Sequence, residues 1–185
     1  MSTLPAHETT AASEPVSDDL FRSVFRDHAA RVVVITAQGQ REPVGFTATS
    51  LTSVSLKPPM VSFAVARTAS VWRTLSHSAR VAVHLLGQDQ DDLATTFATS
   101  GINRFAGLEW RAGPHGEPLI EGCAAYLGCR VVQHVPAGDH VVVLAQVTRA
   151  QVERAGEPLL YHDGGYASVS SAPAPHSHGT LRRLR

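Results

Sequence analysis

Hydrophobic positions recur at helical spacing near the start of the chain and at strand-like density after it. Leu20, Phe21, Val24, Phe25 and His28 follow a 3.6-residue period behind Ser17, a candidate N-cap, with Asp18 and Asp19 where the helix dipole favours negative charge. A short amphipathic helix is predicted there. Runs rich in β-branched residues follow at 32–36, 60–66, 80–86, 124–134 and 140–147 and read as strands. Short helices are predicted over 70–78, where Val71, Trp72 and Leu75 share a face, and over 89–98, where Leu93 and Phe97 lie one turn apart. Many strands with few helices predict a mainly β fold, a closed or nearly closed antiparallel barrel, because closure removes aggregation-prone edges. No internal repeat is found.

The two ends read differently. Residues 1–16 are rich in Ala, Ser, Thr, Glu and Pro, too poor in apolar material to offset the entropy of ordering, and are predicted to form a disordered leader. From 170 to 185 a flexible tail is predicted. Its His176 and His178 lack a third metal ligand, and its Arg182, Arg183 and Arg185 make a short basic run of the kind that is usually just solvated. The folded domain is expected to span 17–169.

Composition narrows the class. With 185 residues and 43% hydrophobic content the chain fills one core, and a second domain has no room. Lys plus Arg equals Asp plus Glu at 16 each, so no basic field exists to hold nucleic acid or an anionic membrane. No apolar run approaches the roughly 20 residues that span a bilayer, and a cytoplasmic protein is expected. Cys123 and Cys129, if they share a strand, would lie on one face and several residues apart, which suits two reduced buried thiols better than a bridge.

The least ordinary stretch runs from Gly45 to Pro59. Six hydroxyl residues fall within the nine positions from Thr47 to Ser55, and the Pro58-Pro59 pair is expected to end any regular ladder. Hydroxyls and backbone N–H groups concentrated in this way suit a ligand with a phosphate at one end and a flat heteroaromatic ring at the other. A Thr/Ser-rich strand on a solvated sheet face has the same composition, and side-chain chemistry alone leaves both readings open.

Several motifs stand in a telling order: Phe21-Arg22-Ser23-Val24, Pro43-Val44-Gly45-Phe46-Thr47-Ala48-Thr49-Ser50, Ser53-Val54-Ser55-Leu56-Lys57-Pro58-Pro59, Val81-Ala82-Val83-His84-Leu85-Leu86, Arg104-Phe105, Ile120-Glu121-Gly122, Gly138-Asp139-His140 and Pro158-Leu159-Leu160-Tyr161. In this order the chain resembles the short-chain flavin reductases, the reductase components of two-component flavin-dependent monooxygenases. The resemblance covers about residues 20–168. It implies an FMN-binding split β-barrel of Greek-key-like antiparallel strands, a homodimer, FMN or FAD near the dimer interface, and NADH, sometimes NADPH, as donor.

Carried over position by position, the resemblance assigns flavin binding to Thr47, Ala48, Thr49, Ser50, Leu51, Thr52 and Ser53. The strand through Ala64, Val65, Ala66 and Arg67 towards Ser70 passes beside the ring and ribityl phosphate. Arg104 becomes the phosphate contact and Phe105 an apolar wall. Asp139 and His140 of the Gly-Asp-His motif, with Tyr166, are assigned to NAD(P)H. One departure stands out: His84 occupies a position where relatives usually carry asparagine. His84 forms no metal spacing with His77, His115, His134 or His162, so no metal is expected.

Hydride transfer needs little acid–base machinery, so no catalytic nucleophile is expected. The chain has no Gly-x-Gly-x-x-Gly after a strand, which argues against a Rossmann domain. Two rivals use the same barrel: a flavin- or haem-type storage or sensing protein without turnover, and an oxidase of the pyridoxamine-phosphate type.

Overall fold

The computed structural model describes residues 16–169. The expected leader and tail, with His176, His178, Arg182, Arg183 and Arg185, lie outside the described residues apart from position 16. Helix α1 (Asp18–Arg26) begins where the sequence places it, and the Ser17 side chain accepts a hydrogen bond from the Leu20 N–H at 3.3 Å. In chain order there follow β1 (Ala30–Arg31), β2 (Val33–Gln38), β3 (Pro43–Ala48), β4 (Thr52–Leu56), β5 (Pro59–Ala66), α2 (Trp72–Leu75), β6 (Arg80–Leu85), α3 (Asp91–Ala98), β7 (Trp110–Ala112), β8 (Pro118–Ile120), β9 (Ala125–Ala137), β10 (His140–Val152), β11 (Leu160–His162) and β12 (Gly165–Ala167). No helix among the described residues is long and apolar enough to cross a membrane.

The fold is mainly β and antiparallel. One seven-stranded sheet has the order β3-β2-β6-β9-β10-β5-β4, accompanied by a three-stranded sheet β1-β11-β12 and the pair β7-β8. Strands β3 and β4 lie at opposite edges of the large sheet, yet only Thr49, Ser50 and Leu51 connect them. That link spans at most about 14 Å, whereas the edges of a flat seven-stranded sheet stand about 29 Å apart. The sheet is therefore rolled until its edges approach, and the two edge strands form no ladder with each other.

Inside the roll, Val33, Ile35, Phe63, Val65, Val81, Val83, Val141 and Val143 form the main core. Burying each such side chain contributes about 1.5–3 kcal/mol. A second cluster, built on Val32, Val34, Leu86, Phe97 and Phe105, packs α3 against the other face. Thr36 and His84 are fully buried and, by strand alternation, lie on this second face with Val34 and Leu86. The Thr36 hydroxyl donates to the Pro118 carbonyl at 2.6 Å, tying β2 to β8.

Several expectations are corrected. Pro58-Pro59 does not end the ladder: it turns it, with Leu56 opposite Pro59 in the β4–β5 hairpin. The helix expected over 70–78 contracts to a single turn, Trp72–Leu75. Cys123 precedes β9 and Cys129 lies within it, in different core clusters, so the shared-strand condition fails while both thiols are free and buried. Burial pushes them up to about 11 and about 12. Helix α1 has the apolar face that its spacing implies but buries none of it.

Candidate functional site

The hydroxyl-rich segment is a strand, a short link and a second strand. Strand β4 stops pairing with β5 at Thr52↔Ser62, leaving the edge of β5 from Ala64 onward without a strand neighbour. Ser50, just before β4, substitutes its side chain for a ladder bond, its Oγ accepting from the Ala64 N–H at 2.9 Å. Because N–H groups alternate along an antiparallel strand, the Ala66 N–H points to the same side. A groove of ≈ 340 Å³ opens at this seam, lined by Phe46 to Ser50 on one wall and by Ala64, Val65, Ala66, Ala69 and His140 on the other.

The lining suits a flat ring. Ala48, Ala64, Ala66 and Ala69 leave a slot, Phe46 adds an aromatic wall, and the backbone edge of β5 supplies polar groups for ring carbonyls and N–H groups. The hydroxyls divide by role. Thr47 Oγ1 donates to the Ala94 carbonyl at 2.6 Å and so anchors α3 to β3. Thr49 makes no hydrogen bond among the described residues, which leaves its hydroxyl available at the groove.

The far wall is set by the β9–β10 hairpin. Gly138 takes φ +59°, the left-handed value that a two-residue hairpin loop needs at its first position, and the next strand begins at His140. The imidazole Nδ1 lies 2.7 Å from Asp139 Oδ1. This contact leaves Nε2 as the ring nitrogen available to a ligand, and the hydrogen bond and charge of His140 hold the Asp139 carboxyl below its usual range.

A neighbouring cavity of ≈ 210 Å³ contains Ser70, Arg104 and Phe105 together with Glu42 to Gly45. Arg104 donates from Nε to the Thr99 carbonyl and from Nη1 to the Gly45 carbonyl, both at 2.8 Å, so it clamps the end of α3 to β3 while the Nη2 donors and the second Nη1–H make no hydrogen bond among the described residues. Partial burial lowers its pKa from the ordinary arginine value. Phe105 is largely a core residue, edge-on to Phe97 at 5.2 Å and to Trp110 at 5.7 Å.

Thr47, Ala48, Thr49, Ser50, Ala66 and His140 thus share one groove, and Ser70, Arg104 and Phe105 share the next. The remaining assigned residues stand elsewhere. Leu51 packs on the main core, Thr52 and Ser53 belong to β4, and the Arg67 side chain lines neither cavity, although its backbone N–H bonds the Asp139 carbonyl at 3.0 Å. Tyr166 lies against Tyr161 at 5.8 Å and lines a separate hollow with Gln88 and Leu159. Phe46 and Ala69 line the groove but were not among the assigned residues. Phe46 sits inside the Gly-Phe-Thr run that flagged the region, whereas nothing in the sequence marks Ala69. No group of three or more His, Cys, Asp or Glu able to hold a metal occurs among the described residues.

Residues 25–170 match the model of the flavin reductase-like domain. The chain belongs to this family. A flavin reductase-like relative from Rhodococcus qingshengii, named NADH:FMN oxidoreductase, is 43% identical over 151 residues, covering 79% of each chain. The reductase subunit HsaB of a flavin-dependent monooxygenase from Mycobacterium tuberculosis is 32% identical over 168 residues, covering 90% of each. Among solved structures, the NADH:FAD oxidoreductase SgcE6 of Streptomyces globisporus, in complex with NAD and FAD fragments, superposes with a TM-score of 0.77 at 34% identity, covering 90% of this chain and 100% of that one.

His84 now has a physical account. Its Nδ1 lies 3.1 Å from the Val34 carbonyl and its Nε2 accepts from the Ile120 N–H at 3.0 Å, so the ring is neutral with the proton on Nδ1. One donor and one acceptor are also what an asparagine amide could offer at this position.

Proposed function

We propose that the chain is an NAD(P)H:flavin oxidoreductase that reduces FMN or FAD and releases the reduced flavin to a partner monooxygenase. The seam groove carries this reading: it joins a slot for a flat ring, an unpaired backbone edge and the His140 imidazole in one ≈ 340 Å³ space. A flavin held there supplies the hydride acceptor for a dihydronicotinamide. The protein's part is to position and to shield. The Ala64–Ala66 edge and Thr49 hold ring and tail polar groups, Arg104 and Ser70 receive the phosphate in the adjoining cavity, and His140, steadied by Asp139, holds the nicotinamide amide.

Stacking two planar groups in a near-attack geometry supplies most of the catalysis such a transfer needs. Hydroxyls, backbone groups and one arginine bind with modest strength, which suits a flavin that must leave. The named relatives are reductases, which favours turnover over storage. We further read the rolled sheet as a split barrel, the protein as cytoplasmic with its thiols reduced, and the working unit as a homodimer. The dimer reading is supported by the exposed apolar face of α1 and by Ala64, Val142 and Leu144, which are only half-buried.

Steady-state oxidation of NADH and NADPH, measured with FMN, FAD and riboflavin in turn, tests the reading. Fast turnover is expected only with added flavin, and a rate indifferent to all three flavins overturns it.

A further inference from the structure

A second cleft, of ≈ 570 Å³, shares no lining residue with the groove. It opens between the tip of the β2–β3 hairpin, the α2 turn and its exit, and the β7–β8 turn, and is lined by Arg73, His77, Arg80, His115 and Glu117 among others. Among the described residues Arg22, Arg26, Arg111 and Arg154 meet carboxylates, whereas neither Arg73 nor Arg80 forms an ion pair. The one side-chain hydrogen bond of Arg80 among the described residues is a long one, 3.4 Å to the Thr148 hydroxyl.

Glu117 is the reverse case. It is only 3% exposed, and one carboxylate oxygen accepts from the His115 N–H at 3.0 Å while Oε1 accepts no hydrogen bond among the described residues. The cleft therefore presents guanidinium groups without ion pairs and, in its lining, a carboxylate oxygen, Glu117 Oε1, that is free to accept a further donor.

One kind of molecule answers both needs, with a phosphate for the guanidinium forks and neighbouring hydroxyls for the carboxylate. The ribose 5′-phosphate unit of a nucleotide has this chemistry, and the volume lies in the range of about 300–1,000 Å³ typical of small-molecule sites. We propose that this cleft is a mononucleotide site, separate from the flavin groove, with the phosphate between Arg73 and Arg80 and the ribose hydroxyls on Glu117.

Calorimetric titration of the full chain with 5′-AMP tests the site. AMP is expected to bind, with affinity reduced roughly tenfold by the double replacement Arg73→Ala and Arg80→Ala and unchanged by His140→Ala. The 2′,3′-dideoxy analogue is expected to bind the native protein about fivefold more weakly than AMP, and the two to bind Glu117→Ala alike. If Glu117→Ala does not fold, the analogue on the native protein decides that contact alone. Absence of AMP binding at millimolar concentration, binding lost through His140→Ala instead of the arginines, or equal affinity for AMP, its dideoxy analogue and inorganic phosphate would each overturn the proposal.

Discussion

Asp139 Oδ1 lies 2.7 Å from Nδ1 of its neighbour His140, across the first step of β10. The carboxylate is 92% exposed and the imidazole 45% exposed, so the pair is a solvent-facing bracket at the rim of the groove. With Nδ1 occupied, Nε2 is the ring nitrogen that the contact leaves free. Replacing His140 with Ala is expected to raise the KM for NADH about fivefold, the equivalent of one lost hydrogen bond, and to move the KM for flavin much less. Asp139→Asn should produce a smaller rise in the same parameter. Equal changes in both KM values would remove His140 from the nicotinamide.

The hydroxyls of β3 and its link separate by experiment. Thr47→Val breaks a half-buried bond to the Ala94 carbonyl and is expected to cost about 1 kcal/mol in urea unfolding with little change in flavin affinity. Thr49→Val should do the opposite, weakening flavin binding several-fold at unchanged stability. Flavin titration by fluorescence quenching beside the unfolding curves resolves the two, and an identical profile for both variants would contradict the division of roles.

His84 predicts an acid-dependent loss of stability. Burial holds the ring at about 4 against an ordinary 6.5, with the Val34 carbonyl opposing in part. As pH falls through about 6.5 the unfolded chain gains a proton that the folded chain refuses until about 4. The unfolded state binds more protons across this window, so the contribution is complete above it and is lost progressively down to its lower end, by up to about 3 kcal/mol. His84→Asn keeps one donor and one acceptor without a titrating group. The difference in urea midpoint between the two proteins should shift in favour of the variant as pH drops from 7 to 4, and a difference independent of pH would refute the account.

Helix α1 tests the assembly. Leu20, Phe21, Val24 and Phe25 are each more than half exposed, and the Phe21 and Phe25 rings meet at a tilt with centroids 4.8 Å apart, on a surface shared with Tyr161. Phe21→Ser with Phe25→Ser is expected to convert a dimer into monomers in sedimentation experiments while leaving the β-sheet circular dichroism intact. A native protein that sediments as a monomer at micromolar concentration would dismiss the homodimer.

Much of this molecule was legible in the order of its residues, because the strongest signals are local. The cap and acidic first turn of α1 follow from Ser17, Asp18 and Asp19, and the long strands follow from β-branched density, since both depend on interactions within a few residues. The two-residue β9–β10 turn rests on Gly138 at φ +59°, a local requirement that glycine meets without strain. What composition could not convey was which hydroxyl is spent on the fold and which is left facing the groove. Thr47 and Thr49 are chemically alike, and only the placement of α3 spends the first on Ala94. The groove itself arises because β4 stops short of Ala64 while the sheet rolls its edges together, and the buried role of His84 requires Val34 and Ile120 from strands distant in sequence. Periodicity specifies how each segment folds, but pairing between remote segments decides which backbone groups stay unpaired, and those unpaired groups line the groove.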